Sequence, residues 1–236
     1  MNQFRETFTN QHVILPVIHA VSYQQILRNA QIAYEAEVDG IFLINHSITH
    51  QELLEFYERL IRVFPKWWIG LNLLNISPQE TFEIIPSKTS GIWVDNALID
   101  ENQTKQGDAQ IILKTQQKNQ WKGLYFGGIA FKYQRPIEDL TTAVQIAQNY
   151  MDIITTSGVA TGKAAELQKI QTMKKALGDF PLAIASGITP NNIERYLPYS
   201  DCYLVATGIS KDFENFDPSL LTQLVKKIRK YKIHFC

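Results

Sequence analysis

The sequence predicts a single (β/α)8 barrel, a closed ring of parallel strands surrounded by helices. Three observations lead to this prediction. Eight short apolar runs rich in Val, Ile, Phe and Tyr recur along the chain, as expected of strands buried on both faces. Amphipathic segments separate these runs, and such alternation is typical of an α/β barrel. The 236 residues, 45% of them hydrophobic, are enough for one large core. We therefore expect one domain spanning residues 1–236.

The predicted strands follow one another at intervals that leave room for a helix in each gap. They begin near Val13, Gly40, Trp67, Gly91, Gly123, Asp152, Pro181 and Asp201. An open doubly wound sheet is the structural alternative. That fold usually carries an early glycine-rich dinucleotide turn, which this sequence lacks, so the closed barrel is favoured.

Helix signals fill the gaps in order. Apolar stripes or start signals predict helices at 23–37, 49–64, from 78, at about 108–118, at 136–149, and from 164, 190 and 218. Thr49 lies three residues before Glu52, which predicts a capping box. Four starts place a proline immediately after the opening residue, and these are Ser77-Pro78, Arg135-Pro136, Thr189-Pro190 and Asp217-Pro218.

The bulk composition excludes several classes of function. The 23 basic and 23 acidic residues give a net charge of 0, which argues against a nucleic-acid partner. No apolar run is long enough for a membrane span, and no signal-peptide pattern opens the chain. Cys202 and Cys236 form no CxxC pair, and we predict no metal site. A soluble, cytoplasmic protein is expected, and a homo-oligomer is left open.

Polar residues stand where the apolar strands end. These ends supply His19, Asn45 with His46, Asn72, Asp95 with Asn96, and Lys132. Ligands bind at the carboxyl ends of the strands in such barrels. Asn45 and Asn72 are therefore candidate substrate contacts, and Lys132, Asp95 and His19 are candidate catalytic groups for electrostatic or proton-transfer roles. A solvated lysine, an Asx turn and surface histidines are the alternatives.

The last two strand ends predict a phosphate site. Strand seven finishes with Ser186 and Gly187, and strand eight with Thr207 and Gly208, followed by Lys211. Glycines allow backbone N–H groups to approach an anion, and the expected helix start after strand seven adds the positive end of a dipole. The loops after strands seven and eight are the common phosphate site of this fold. The alternative is that both glycines only form tight turns.

A third loop after strand six is rich in small residues and hydroxyls. It runs from Thr156 through Ser157 and Gly158 to Lys163. It does not match a P-loop, because a glycine is misplaced and no Ser or Thr follows the lysine. We predict either an anion-binding nest that contacts the ligand or a mobile lid.

The C-terminal third resembles the BtpA family, barrel proteins that include photosystem I biogenesis factors and SgcQ-type proteins. The matching pieces are SGVATGK at Ser157–Lys163, ASGITPNNIERYL at Ala185–Leu197 and VATGISK at Val205–Lys211. VDGIFLIN at Val38–Asn45 also looks like the second strand of the family. The resemblance implies a barrel with a ligand pocket, and for some members a role in the assembly or stability of a membrane complex.

Two departures from the family pattern affect the candidate chemistry. The family usually has an HLxPLPGSP-like turn after strand one, of which only His19 carries over. Strand five of the family tends to read DVHVKHA, of which only Lys132 aligns here. The absent Asp and His groups are those best suited to proton transfer. This difference favours a divergent member of the family.

Three functions remain open from the sequence. The first is an enzyme acting on a small phosphorylated metabolite such as a phosphosugar, with metal-independent isomerase- or lyase-like chemistry at Lys132, Asp95 and His19. The second is a non-catalytic accessory factor for a membrane complex such as photosystem I. The third is a flavin-mononucleotide binder, whose phosphate would use the same loops. No cofactor is required by the sequence.

Overall fold

Eight parallel strands close into one barrel, as predicted. The computed structural model describes residues 2–231, so that Cys236 lies outside the described residues. Each strand pairs with its neighbours in chain order, and β1 pairs with β8 to close the ring. The strands are Val13–Ala20, Gly40–Asn45, Trp68–Asn72, Gly91–Val94, Leu124–Gly128, Ile153–Ser157, Leu182–Ala185 and Cys202–Val205, labelled β1 to β8. Each begins within one residue of its predicted start.

Eight α-helices lie among the described residues. They are Gln3–Thr7, Tyr23–Glu35, His50–Val63, Pro78–Ile84, Gly107–Lys118, Leu140–Ala147, Leu167–Leu177 and Pro218–Lys230, labelled α1 to α8. Short 3₁₀ turns lie at Ile193–Arg195, Leu197–Tyr199 and Thr207–Ile209. The longest of these helices has 14 residues, and none between residues 2 and 231 has the length and apolarity needed to cross a bilayer.

The predicted helix starts are confirmed where the capping signal is local. Thr49 and Glu52 form the reciprocal bonds of a capping box, and Ser77 and Glu80 form a second one. The Asp217 side chain accepts from two backbone N–H groups of α8. Each cap satisfies N–H groups that the first helical turn leaves unpaired.

Three predicted helix starts are wrong. The helix expected from Ala164 begins three residues later, at Leu167. The helix expected from Pro136 begins at Leu140, where Asp139 forms the cap. Arg135 instead pairs with Asp100 and Glu101 of the preceding loop, which holds this stretch in an irregular conformation. Tertiary ion pairs here override the local signal.

The α-helix predicted after Thr189-Pro190 is also absent. Two 3₁₀ turns, Ile193–Arg195 and Leu197–Tyr199, replace it. Pro198 would lie in the interior of the predicted helix, where it would remove a hydrogen bond and clash with the preceding turn. Within residues 2–231, no α-helix therefore begins in the connection from β7 to β8.

The strand side chains divide into an inward and an outward set. Inward residues, including Phe42, Trp68, Trp93 and Phe126, fill the barrel with edge-to-face ring contacts. Outward residues pack beneath the helices as a second core. Since orientation alternates along a strand, His19, Asn72 and Asp95 fall in the inward set, and Asn45 falls in the outward one.

The short helix α1 closes the amino end of the barrel. Phe4 is fully buried, and the Phe8 ring lies 5.4 Å from that of Trp68. Beside them, Asp201 binds both Arg5 and Lys174 and accepts the Leu182 N–H at 2.9 Å. Ligands therefore have access to the interior from the carboxyl end.

Candidate functional site

The carboxyl end of the barrel opens into a small cleft, here called the inner cleft. Its walls include His19, Lys132, Thr161, Gly162, Ser186 and Thr207, and its volume is about 40 Å³. One water centre needs roughly 10–15 Å³, so the cleft accommodates a few waters or one small polar group. The structure thus brings two of the three predicted catalytic residues next to two predicted phosphate contacts.

Three loops, after β6, β7 and β8, pack against one another beside this cleft. A Cβ on Gly187 would lie 2.2 Å from the Ala164 backbone nitrogen, and one on Gly208 would lie 1.9 Å from the Ile188 oxygen. A side chain at either glycine would force the loops apart. Gly187 also has a φ of +72°, which glycine adopts without strain. These glycines therefore hold the three loops in direct contact.

Ser186 fixes the β6 loop to the β7 loop. Its hydroxyl accepts the Gly162 N–H at 2.9 Å and donates to the Ala160 oxygen at 3.2 Å. Its own φ is +83°, an uncommon value for a residue with a side chain. Among the described residues, the N–H groups of Gly187 and Gly208 donate to no protein acceptor. The loops thus leave main-chain donors unused near the cleft.

Lys132 is attached to the same loops. Its N–H donates to the Ser157 hydroxyl at 2.8 Å, and its ammonium donates to the Thr161 hydroxyl at 3.2 Å. Ser157 in turn donates to the Gly158 oxygen at 2.9 Å. The lysine therefore supplies a positive charge on the side of the cleft formed by the β6 loop.

His19 lies in the wall of the cleft as a neutral imidazole. Its Nδ1 is 3.2 Å from the Phe213 oxygen. A carbonyl only accepts, so Nδ1 carries the hydrogen and Nε2 keeps its lone pair. Burial, together with the neighbouring His46, lowers the pKa of His19 to about 4. At neutral pH the ring is thus able to accept a proton or a hydrogen bond.

A segment missed in the sequence, the β8–α8 loop, positions Phe213 over this histidine. The two ring centroids are 4.1 Å apart. Buried amides on α2 hold the loop, because Gln25 and Asn29 donate to the Glu214 oxygen at 2.7 and 2.6 Å. The sequence did contain a signal for this contact, because Gln25 and Asn29 are polar residues on the buried face of α2, where apolar residues are expected.

Asp95 lies on the inward side but outside the lining of the inner cleft. Its carboxylate accepts from the Asn72 amide at 3.0 Å. Desolvation raises the pKa of Asp95, although the hydrogen bond from Asn72 and the charge of Lys132 both act in the opposite direction. The Gln134 amide binds the Asp95 main-chain oxygen. The structure therefore pairs two predicted site residues with each other.

Several other predicted contacts have structural partners. Asn45 accepts the Leu74 N–H at 2.8 Å and donates to the Ile48 oxygen at 3.2 Å, which joins the loops after β2 and β3. The Thr156 hydroxyl donates to the Ala130 oxygen at 3.2 Å. Lys211 is exposed and lies outside the lining of the cleft.

No cluster of three or more His, Cys, Asp or Glu side chains with metal-binding geometry occurs in the range 2–231. The polar groups that converge on the inner cleft are instead hydroxyls, main-chain N–H groups, a lysine and a neutral histidine. This donor set suits an oxyanion, which takes hydrogen bonds and positive charge.

Comparison with known proteins identifies the family and the fold. A family model described as the BtpA family matches residues 65–230. An uncharacterised protein of Methanocaldococcus jannaschii is 31% identical over 67 residues, which are 28% of this chain and 25% of that protein. An uncharacterised protein of Pyrococcus horikoshii is 27% identical over 85 residues, which are 34% of this chain and 32% of that protein. The matched segments thus span about a quarter to a third of these relatives.

Solved structures with the same fold cover nearly the whole chain. A geranylgeranylglyceryl phosphate synthase of Thermoplasma acidophilum, in complex with sn-glycerol-1-phosphate, has a TM-score of 0.67 and 17% identity over 97% of both chains. A phosphoribosylanthranilate isomerase of Pyrococcus furiosus has a TM-score of 0.63 and 13% identity over 93% of this chain and 100% of its own. At these identities the likeness concerns the fold.

Proposed function

Because the chain belongs to the BtpA family, we propose that it is a barrel protein that binds a small phosphorylated metabolite, with the phosphate in the inner cleft. The observation that carries this proposal is the convergence of Gly162, Ser186 and Thr207 with the Lys132 side chain on one small cavity. Phosphate needs short hydrogen bonds and positive charge from the protein. The inner cleft offers both in a space sized for one such group.

The loops that form the cleft support the proposal. The loops after the last strands are the usual phosphate site of this fold, and Gly187 and Gly208 leave main-chain N–H groups unused there. One of the structurally similar enzymes binds sn-glycerol-1-phosphate as its substrate, and another is an isomerase of phosphoribosylanthranilate. The anion site here would be built from loops, since only 3₁₀ turns lie between β7 and β8.

For the chemistry, we propose metal-independent proton transfer of the isomerase or lyase type. A neutral His19 with a free Nε2 lone pair would act as base, and Lys132 would stabilise developing negative charge. Asp95, whose pKa is raised mainly by burial, accepts a hydrogen bond from Asn72 outside the cleft lining and is near enough to Lys132 to feel its charge.

A second candidate is a non-catalytic accessory factor for a membrane complex such as photosystem I. The residues that favour it are those of the stretch after β5, where Ala130, Phe131 and Tyr133 surround Lys132 without a carboxylate or histidine. Such a protein would keep the ligand pocket and lack turnover. The two candidates share the phosphate site and differ in whether bound ligand is converted.

The test is ligand-induced stabilisation with a matched pair of variants at Thr207. This side chain is exposed and belongs to the lining of the inner cleft, so both variants change the cleft directly. Thr207→Glu places a negative charge in the anion site, and Thr207→Val is the uncharged control. Glycerol phosphate at 100 times the wild-type dissociation constant should stabilise wild type by about 2.7 kcal/mol. Thr207→Val loses one hydroxyl contact and gains no charge, so it should keep most of this stabilisation.

Thr207→Glu should show little of this stabilisation. Equal stabilisation of both variants, or none in the wild type with any of a panel of phosphorylated metabolites, would rule out the inner cleft as the phosphate site. A yellow purified protein would identify the ligand as flavin mononucleotide. Conversion of a bound metabolite that His19→Asn abolishes would separate the enzyme from the accessory factor.

A further inference from the structure

A second and larger cleft lies between the loops after β5 and β6, outside the barrel mouth. Here called the outer cleft, it has a volume of about 570 Å³. Its walls include Lys132, Tyr133, Val159, Lys163, Glu166 and Lys169. Three lysines thus face one glutamate in a protein whose net charge is 0. This excess of positive charge makes the outer cleft suitable for an anion.

Lys169, in the first turn of α7, provides the most informative charge. Its ammonium donates to the Ser157 oxygen at 2.8 Å and to the Ala130 oxygen. An ammonium has three donors, and no third acceptor occurs among residues 2–231. Burial lowers the pKa of Lys169 to about 8, a shift that the charge of Glu166 only partly opposes.

Two other partly buried cations of the described chain have carboxylate partners. Lys174 lies 2.8 Å from Asp201, and Arg229 lies 2.8 Å from Asp39. Lys169 has no such ion pair within the same residues. Because a partly buried charge is costly unless it is paired, the missing partner points to a group supplied from outside the chain.

We propose that the outer cleft binds a small organic anion, whose carboxylate or phosphate group takes the third hydrogen bond of Lys169. Two apolar side chains at the rim indicate what else the ligand carries. Tyr133 and Val159 are 81% and 79% exposed, and a ring or short aliphatic body bound there would cover them. This inference goes beyond the proposed function, because it concerns a separate cavity. The two clefts share only the Lys132 side chain as a common wall.

Calorimetric titration with benzoate and with phenyl phosphate tests this site on the whole protein. Both probes join an aromatic ring to an anion, and comparing them tells whether a carboxylate or a phosphate fits better. We expect Lys169→Met to weaken both by about tenfold or more, as expected for losing a hydrogen bond to a charged group. Lys169→Arg keeps the charge and should stay within about threefold of wild type.

Thr207→Glu separates this site from the inner cleft. Benzoate affinity should be unchanged in Thr207→Glu, even if that variant abolishes glycerol phosphate binding. Benzoate binding at the outer cleft can therefore be observed even if glycerol phosphate does not bind the inner cleft. Likewise, glycerol phosphate can bind the inner cleft even if benzoate does not bind the outer one. Benzoate that binds Lys169→Met as tightly as wild type, or binding of neither probe to wild type, would overturn the proposal.

Amide NMR of the wild-type protein makes the test independent of how the variants fold. Benzoate should shift the resonances of Gly158, Val159 and Lys163, which belong to the wall formed by the β6 loop. Resonances of β8, on the far side of the inner cleft, should stay unchanged. Shifts that spare the β6 loop would also overturn the proposal.

Discussion

The two ends of the barrel differ in whether their partly buried charges have a partner of opposite sign. At the amino end, Asp201 is shared by Arg5 and Lys174 and also accepts a main-chain N–H. At the carboxyl end, Lys132 and Lys169 bind only hydroxyl and carbonyl oxygens among the described residues. Paired charges stabilise a fold, whereas partly buried charges without a carboxylate keep binding capacity for a ligand. We therefore assign the amino end as the stability face and propose the carboxyl end as the ligand face.

The largest effect should follow from breaking the charge cluster of the stability face. Asp201→Ala leaves Arg5 and Lys174 without a partner and the Leu182 N–H unsatisfied, so we expect a loss of about 3 kcal/mol in the free energy of unfolding. Urea denaturation measures this loss. Glycerol phosphate affinity of the folded variant should equal that of wild type. A loss under about 1 kcal/mol would contradict the assignment of the stability face.

The next effect concerns the loop packing of the ligand face. Gly208→Ala brings a Cβ within 1.9 Å of the Ile188 oxygen, so the β7 and β8 loops must separate. We expect a loss of about 2 kcal/mol in stability together with weaker phosphate binding. Gly107→Ala is the control, since a Cβ there meets nothing within 4 Å. Equal stability of the two variants would show that the loops are not in close contact.

His19 should make the ligand face sensitive to acid. Its pKa is about 4 in the folded protein, against 6.5 for the free side chain. Between these values the unfolded state binds more protons, so stability is full above about pH 6.5 and falls as the pH drops toward 4. We expect wild type to lose about 2 kcal/mol by pH 5 relative to His19→Asn. Parallel stability curves of the two proteins in acid would contradict a neutral His19.

The smallest effect on stability should come from Lys169→Met. The variant loses two hydrogen bonds and also removes a charge that lacks a carboxylate, so the change at pH 7 should stay below about 1 kcal/mol. The lowered pKa of about 8 means that the unfolded state binds more protons between pH 8 and about 10.5. Wild-type stability should therefore rise with pH in that window relative to Lys169→Met. A relative fall would contradict the assigned direction.

The fold was predictable because its signals are local and repeated. Alternation of buried strands and amphipathic helices, with caps such as Thr49 and Ser77, appears directly in the order of residues. The errors after Arg135-Pro136 and after Thr189-Pro190 had different causes. The Arg135 ion pairs are tertiary and invisible in the sequence, whereas Pro198 was a visible signal against an α-helix after β7.

The sequence predicted which residues lie at the strand ends, but not which of them share a cleft. The strand period of two separates His19 and Asp95, which point inward, from Asn45, which points outward and joins two loops. That pattern was available in the sequence. The role of Lys169 could not be predicted, because in the sequence it looks like any solvated lysine in the first turn of an amphipathic helix. Its role depends on where the β5 and β6 carbonyl groups lie in space.

The most direct test of the ligand face is a titration of the isotope-labelled protein with glycerol phosphate, followed by amide NMR. Glycines are suitable reporters because they are distributed over both ends of the barrel. We expect concerted shifts of Gly162, Gly187 and Gly208 that saturate with one binding constant. Gly40 and Gly91, at the amino ends of β2 and β4, should stay unchanged. Shifts confined to other regions, or no shifts at saturating concentration, would contradict a phosphate site at the β6, β7 and β8 loops.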